Sequence, residues 1–209
     1  MESQQDKFAT DWSTDGRFIL YYSNDPQTDR DLWVLPMSGA TEGRSQQEND
    51  GDRKPWVFLK TRFNESWGQF SPDGRWVAYM SNESGRMEIY VRPFAAPEAS
   101  GAAANPAAAQ WQVSTAGGIH PRWRSDGKEL YYIGPDGRMM GAPITATATT
   151  LEPGAPVALF PTRISGGGRD NQQGRQYDVA RDGRFLINTV LDDASSPITL
   201  LQNWKPPAK

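Results

Sequence analysis

The sequence predicts an all-β fold, a β-propeller, and three observations predict it. A short motif recurs four times: DWSTDGRFILYYS from Asp11, QFSPDGRWVAYMS from Gln69, RWRSDGKELYYI from Arg122 and DVARDGRFLIN from Asp178. Its turn aspartates, Asp15, Asp73, Asp126 and Asp182, lie 58, 53 and 56 residues apart. Each copy sets an Asp-Gly turn between two extended apolar runs, the pattern of a β-hairpin. Further apolar runs follow each hairpin, so a unit of roughly 50 residues holds about four strands, as in a propeller blade. Units of this kind cannot bury their faces alone and must stack on one another.

The turn comes first. In Ser71-Pro72-Asp73-Gly74, Pro72 sits where its fixed φ suits a type I turn, and Gly74 sits where a positive φ is often required. Asp15-Gly16, Asp126-Gly127 and Asp182-Gly183 repeat the pair, so these residues read as structural turns. The run after each turn is nearly all apolar: Phe18–Tyr22, Trp76–Met80, Leu130–Ile133 and Phe185–Ile187. A strand without polar alternation is covered on both faces. Third strands are expected at Leu32–Leu35, Met87–Val91, Arg138–Met140 and Ile198–Leu201, and fourth strands at Trp56–Leu59, Trp111–Val113 and Val157–Phe160.

No helix of useful length is expected. The Ala-rich stretch from Ala95 to Ala109 contains Pro97, Gly101 and Pro106 and reads as a loop. Other long loops are Ser38 to Pro55, Thr145 to Pro156, and Pro161 to Arg175 with Gly166-Gly167-Gly168. One domain over 1–209 results, with blades at about 8–60, 65–113, 118–160 and 175–204. The tail MESQQDK is a poor strand with which to close a ring. The expectation is therefore four visible blades forming an incomplete arc of a larger, six-bladed ring. A closed four-bladed ring is the alternative.

Bulk composition narrows the functional classes. Net charge is −3, from 22 basic and 25 acidic residues, so no nucleic-acid partner is expected. There is no cysteine, which excludes disulfides, thiolate metal ligands and a thiol nucleophile. No signal-peptide core and no apolar run long enough for a membrane helix is present, so this chain itself is not expected to insert into a membrane.

At Phe70-Ser71-Pro72-Asp73-Gly74-Arg75 the units resemble the WD40-like (PD40), TolB-type propeller repeat. A narrower resemblance runs through EIYVRPF (Glu88 to Phe94), WQVSTAGGIHPRWRSDGKELYYI (Trp111 to Ile133), the PVALF run, YDVARDGRFLIN (Tyr177 to Asn188) and PITLLQNW (Pro197 to Trp204). These segments resemble the C-terminal propeller of bacterial membrane-anchored serine/threonine kinases. The resemblance implies a sensor or interaction module, periplasmic or otherwise extracytoplasmic, with a kinase lobe and membrane helix preceding it. The kinase motifs themselves are absent: no Gly-rich phosphate loop with its strand Lys, no His-Arg-Asp, no Asp-Phe-Gly. No kinase residue carries over.

The candidate chemistry is sparse. His120 is the sole histidine, without a Gly-x-Ser-x-Gly elbow, and reads as a rim or channel-wall residue with ligand contact as the functional alternative. Arg122, Arg124 and Lys128 bracket Trp123 and could face an anionic partner. The bland reading packs Trp123 between blades under the arginine stems. The turn aspartates belong to different blades and cannot share a cation. Asp50-Gly51-Asp52 lacks the rest of a calcium loop, and Asp192-Asp193 reads as a solvated turn. Met139-Met140 reads as core, and Arg163, Arg169 and Asp170 as an exposed loop open to a partner. No catalytic residue, metal or cofactor is expected. The expected function is a non-catalytic module binding a protein or peptide. The alternatives are a propeller enzyme, the gating propeller of a serine peptidase, or a fragment without independent function.

Overall fold

The computed structural model describes residues 5–37, 54–96, 109–170 and 174–190. Among these residues every regular element is a strand. The first sheet contains β1 (Lys7–Trp12), β2 (Phe18–Asp25), β3 (Asp29–Pro36) and β4 (Trp56–Leu59), antiparallel in chain order. The second repeats this with β5 (Glu65–Phe70), β6 (Trp76–Ser81), β7 (Glu88–Pro93) and β8 (Trp111–Gln112). The third contains β9 (Ile119–Trp123), β10 (Glu129–Ile133) and β11 (Arg138–Ala146), and β11 pairs with both β12 (Leu151–Pro153) and β13 (Val157–Pro161). Of the fourth unit the hairpin β14 (Tyr177–Val179) and β15 (Phe185–Ile187) is described. The expected strand Ile198–Leu201 lies outside the described residues, as do Asp50-Gly51-Asp52, Asp192-Asp193 and most of the Ser38–Pro55 and Ala95–Ala109 segments.

One expectation is corrected here. The segment from Thr145 to Pro156 is largely a hairpin, so the third sheet has five strands, not four. Leu151 is fully buried and anchors the extra strand. The turn closes on threonine instead of glycine: the Thr147 hydroxyl accepts the backbone N–H of Thr150 at 3.0 Å.

The Asp-Gly turns share one geometry. Gly16, Gly74, Gly127 and Gly183 have φ between 69° and 85°, which a side chain would strain. Each donates its N–H to the carbonyl three residues back, at 2.9 Å. Each aspartate accepts the N–H two residues on at 3.0 to 3.1 Å. Arg17, Arg75 and Arg184 also donate a side-chain N–H to their turn aspartate at 2.7 Å.

The sheets stack through their apolar faces. Every residue of β6 is buried, as the unbroken apolar run predicts for a strand covered on both sides. Phe18, Leu20 and Val34 of the first sheet form a core with Phe70 and Val77 of the second. A larger core runs from Tyr22 and Leu32 through Met80, Leu130 and Ile133 to Tyr177. Tyr131 meets Phe185 edge-on at 4.9 Å and joins the third unit to the fourth.

Polar links on the innermost strands fix how far each sheet is turned from the last. They use one position, four residues before the turn aspartate. Asp11 accepts the Phe70 N–H at 2.8 Å, Gln69 accepts the Trp123 N–H at 2.8 Å, and Arg122 pairs with Asp178 at 3.0 Å. Arg175 then reaches across to the Thr10 carbonyl at 2.9 Å, from the fourth unit to the first. Among the described residues no strand pairing joins the fourth sheet to the first. The fold is an all-β propeller arc.

Candidate functional site: the mouth opposite the Asp-Gly turns

Strand alternation puts the Asp-Gly turns at one end of the arc. The hairpin turns after β2, β6 and β10 share the other end with the connections between units. This second end, the mouth, surrounds a half-open cavity of about 450 Å³. Arg30 and Asn64 come from the first unit and the connection after it. Arg86 and Met87 come from the second, and Ala116 to Ile119 from the connection into the third. Pro135 and the segment Gly168 to Asp170 complete the lining.

Its loops are pinned by buried carboxylates. Glu88 is 1% exposed, accepts the Gly117 N–H at 2.9 Å and the Ser114 hydroxyl, and pairs with Arg86 Nε at 2.9 Å. Arg86 also donates to the Thr115 carbonyl at 3.0 Å, so its guanidinium is held at the cavity edge. Glu65, buried beside the preceding connection, accepts the Thr61 N–H at 3.3 Å and the Thr61 hydroxyl. Burial pushes its carboxyl up to about 7, against the Thr61 hydrogen bonds, and the charges of Asp31 and Glu83 add to the rise.

The floor of the mouth is a polar junction of all four segments. Asp170, from the Gly-rich connection after β13, pairs with Arg30 at 2.8 Å. The Trp67 indole N–H points to the same carboxylate at 3.4 Å, and His120 Nε2 lies 3.5 Å from its other oxygen. Trp67 and His120 hold φ of 54° and 55°, uncommon for side chains of this bulk. Both sit where β5 and β9 shift register against β6 and β10, and such bulges re-aim side chains. The His120 ring meets Trp67 edge-on at 4.8 Å, and its carbonyl accepts the Tyr177 hydroxyl at 2.7 Å. Among the described residues neither ring nitrogen has a hydrogen-bond partner.

The three sequence-predicted contact residues are not brought to one place. His120 lies in this floor, 2% exposed. Arg122 lies on the same strand, further toward the turn end, with Asp178, and Arg175 carries its second guanidinium nearby. Burial first, then the Arg122 charge, lowers Arg175 to about 10. Burial also raises the Asp11 carboxyl in this inner cluster. Arg124 belongs to the turn itself, 3.5 Å from Glu129 and 3.6 Å from Asp126. Trp123 is buried against the second unit, with its indole N–H 3.3 Å from the Gln69 carbonyl, and Met139 is core.

Sequence reasoning missed Arg30, Trp67, Glu88 and the role of Asp170. The last is a correction: the Gly-rich loop read as an exposed partner site, but its Asp170 side chain is 9% exposed and points to the axis. The available signal was an acid two residues after a glycine run, which lets backbone approach backbone closely. Among the described residues no group of three or more His, Asp or Glu is placed to hold a metal ion.

No protein-family model matches the chain, and no curated protein matches it. Solved structures do. A puromycin-hydrolyzing peptidase of Mycobacterium tuberculosis is 17% identical, over 88% of this chain and 28% of its own, with a TM-score of 0.54. A candidate 6-phosphogluconolactonase of Bacteroides uniformis is 14% identical, over 88% of this chain and 48% of its own, with a TM-score of 0.51. A candidate TolB of Agrobacterium tumefaciens is 15% identical, over 73% and 50%, with a TM-score of 0.48. The chain spans half or less of the length of these three proteins. At such identities the first two support a shared arrangement of sheets and nothing about activity.

Proposed function

We propose that this chain is a non-catalytic propeller module that binds a protein or peptide at the mouth, as one domain spanning 1–209. The observation that supports it most is the cavity itself, built by non-repeating loops of successive units, edged by Arg86 and Arg169 and floored by Arg30. Loops on a rigid repeated scaffold are the usual place for recognition. The sole imidazole, His120, is buried against Trp67 and Asp170 with no hydroxyl hydrogen-bonded to it among the described residues, which does not favour nucleophilic chemistry. The finer reading is the extracytoplasmic sensor of a bacterial serine/threonine kinase, and it rests on the sequence resemblance. Of the three expected ligand contacts, His120 is the one at the floor of the mouth, whereas Arg122 lies deeper on the axis and Arg124 at the opposite, turn end.

A displayed random-peptide library tests the module reading. The chain is expected to enrich a defined motif, and charge reversal at Arg86 and Arg169 is expected to abolish the enrichment. No enrichment, or enrichment indifferent to those charges, would contradict it. The Mycobacterium tuberculosis likeness favours a second reading, the propeller part of a larger peptidase. Under that reading this chain alone hydrolyses no peptide, and hydrolysis that His120→Ala removes would support a propeller enzyme instead.

A further inference from the structure

Two donors, the Arg30 guanidinium and the Trp67 indole N–H, meet on the Asp170 carboxylate, and the His120 imidazole lies 3.5 Å from its other oxygen, the three side chains coming from three different units. A guanidinium, an indole N–H and an imidazole at this spacing form a receptor for a carboxylate. In this structure the acid comes from the chain itself, on a connection that also lines the cavity. The receptor has unused capacity, since both buried His120 nitrogens lack a hydrogen-bond partner among the described residues. Arg30 and Asp170 both line the cavity, so a group entering from solvent reaches the pair directly. Arg86, with 63% of its side chain exposed, adds positive charge along that path, as does the exposed Arg169.

The connection is seated by backbone contact. A Cβ at Gly168 would stand 2.3 Å from the Gly134 carbonyl oxygen and 2.4 Å from Pro135 backbone atoms. Only glycine lets this segment lie on the β10–β11 turn and deliver Asp170 to the axis. The seat and the ion pair are therefore separable by mutation.

We infer that the Arg30–Trp67–His120 set is a binding site for the carboxylate of an acidic peptide, and that Asp170 occupies it in cis until such a peptide displaces it. This rests on the peptide-binding reading and names the chemistry of the ligand.

Calorimetric titration of the full chain with N-acetyl-Ala-Asp-Ala-amide, and with its Asn counterpart, tests it. Asp170→Asn is expected to bind the Asp peptide at least tenfold more tightly than wild type and to prefer it at least tenfold over the Asn peptide. Adding Arg30→Gln is expected to remove that binding. Gly168→Ala, which keeps the acid but spoils its seat, is expected to show the same gain. No gain in either variant, or equal binding of the Asn peptide, overturns the inference. So does unfolding of both variants, which would make Asp170 a structural strut. Library binders without acidic residues would leave the module reading standing and remove this one. A tenfold gain in Asp170→Asn without library binders would do the reverse.

Discussion

The two ends of the arc treat charge in opposite ways. At the turn end, Asp15, Asp73, Asp126 and Asp182 keep between 40% and 54% of their side chains exposed and bond within their own turns. At the mouth, Glu65 and Glu88 are each 1% exposed and Asp170 is 9% exposed, and Asp170 bonds across units. The turn end repeats while the mouth does not. The repeated Asp-Gly turn maintains the scaffold, because its aspartate is satisfied within the turn. The irregular end holds groups that are stable only in one assembled geometry, and there a ligand can be recognised.

Mutations should separate the two ends, and the largest effect belongs to the mouth. Arg30→Ala removes the guanidinium that pairs with the largely buried Asp170 at 2.8 Å, and a loss of about 3–5 kcal/mol is expected in urea unfolding. A change under about 1 kcal/mol would mean the junction is hydrated and the contrast overstated. The pH response comes next. Glu65 titrates near 7 in the folded chain against 4.5 unfolded, so its contribution is fully present below pH 4.5 and fades as pH rises through 7. Wild type should lose about 2 kcal/mol between pH 5 and pH 8 relative to Glu65→Gln. Parallel stability curves for the two proteins would remove burial as the cause. The smallest effects belong to the turn end. Asp73→Ala should cost about 1 kcal/mol through its turn bonds, and Arg184→Ala no more than about 0.5 kcal/mol, since the pair is exposed.

The scaffold was legible because its determinants are local. Asp73 and Gly74 specify their turn within five residues, and the run Trp76–Met80 states by composition that it is covered on both sides. The hairpin ending in β12 was not legible, because its turn is closed by Thr147 without a glycine or proline. The floor of the mouth was less legible still. Arg30 and Asp170 are 140 residues apart, and nothing in either neighbourhood names the other. His120 was found as the sole imidazole, but its partners Trp67 and Asp170 come together only when three units stack. Asp170 looked exposed because glycine runs usually lie in open loops, whereas here Gly168 serves close approach to the Gly134–Pro135 turn.

Matched charge reversals compare the two ends most directly. The affinity of a library-selected peptide would be measured for the mouth variant Arg86→Glu/Arg169→Glu and for the turn-end variant Arg75→Glu/Arg184→Glu. The expected result is a loss of at least tenfold at the mouth and a change within twofold at the turn end. Equal losses, or a larger loss at the turn end, would contradict the assignment of recognition to the mouth.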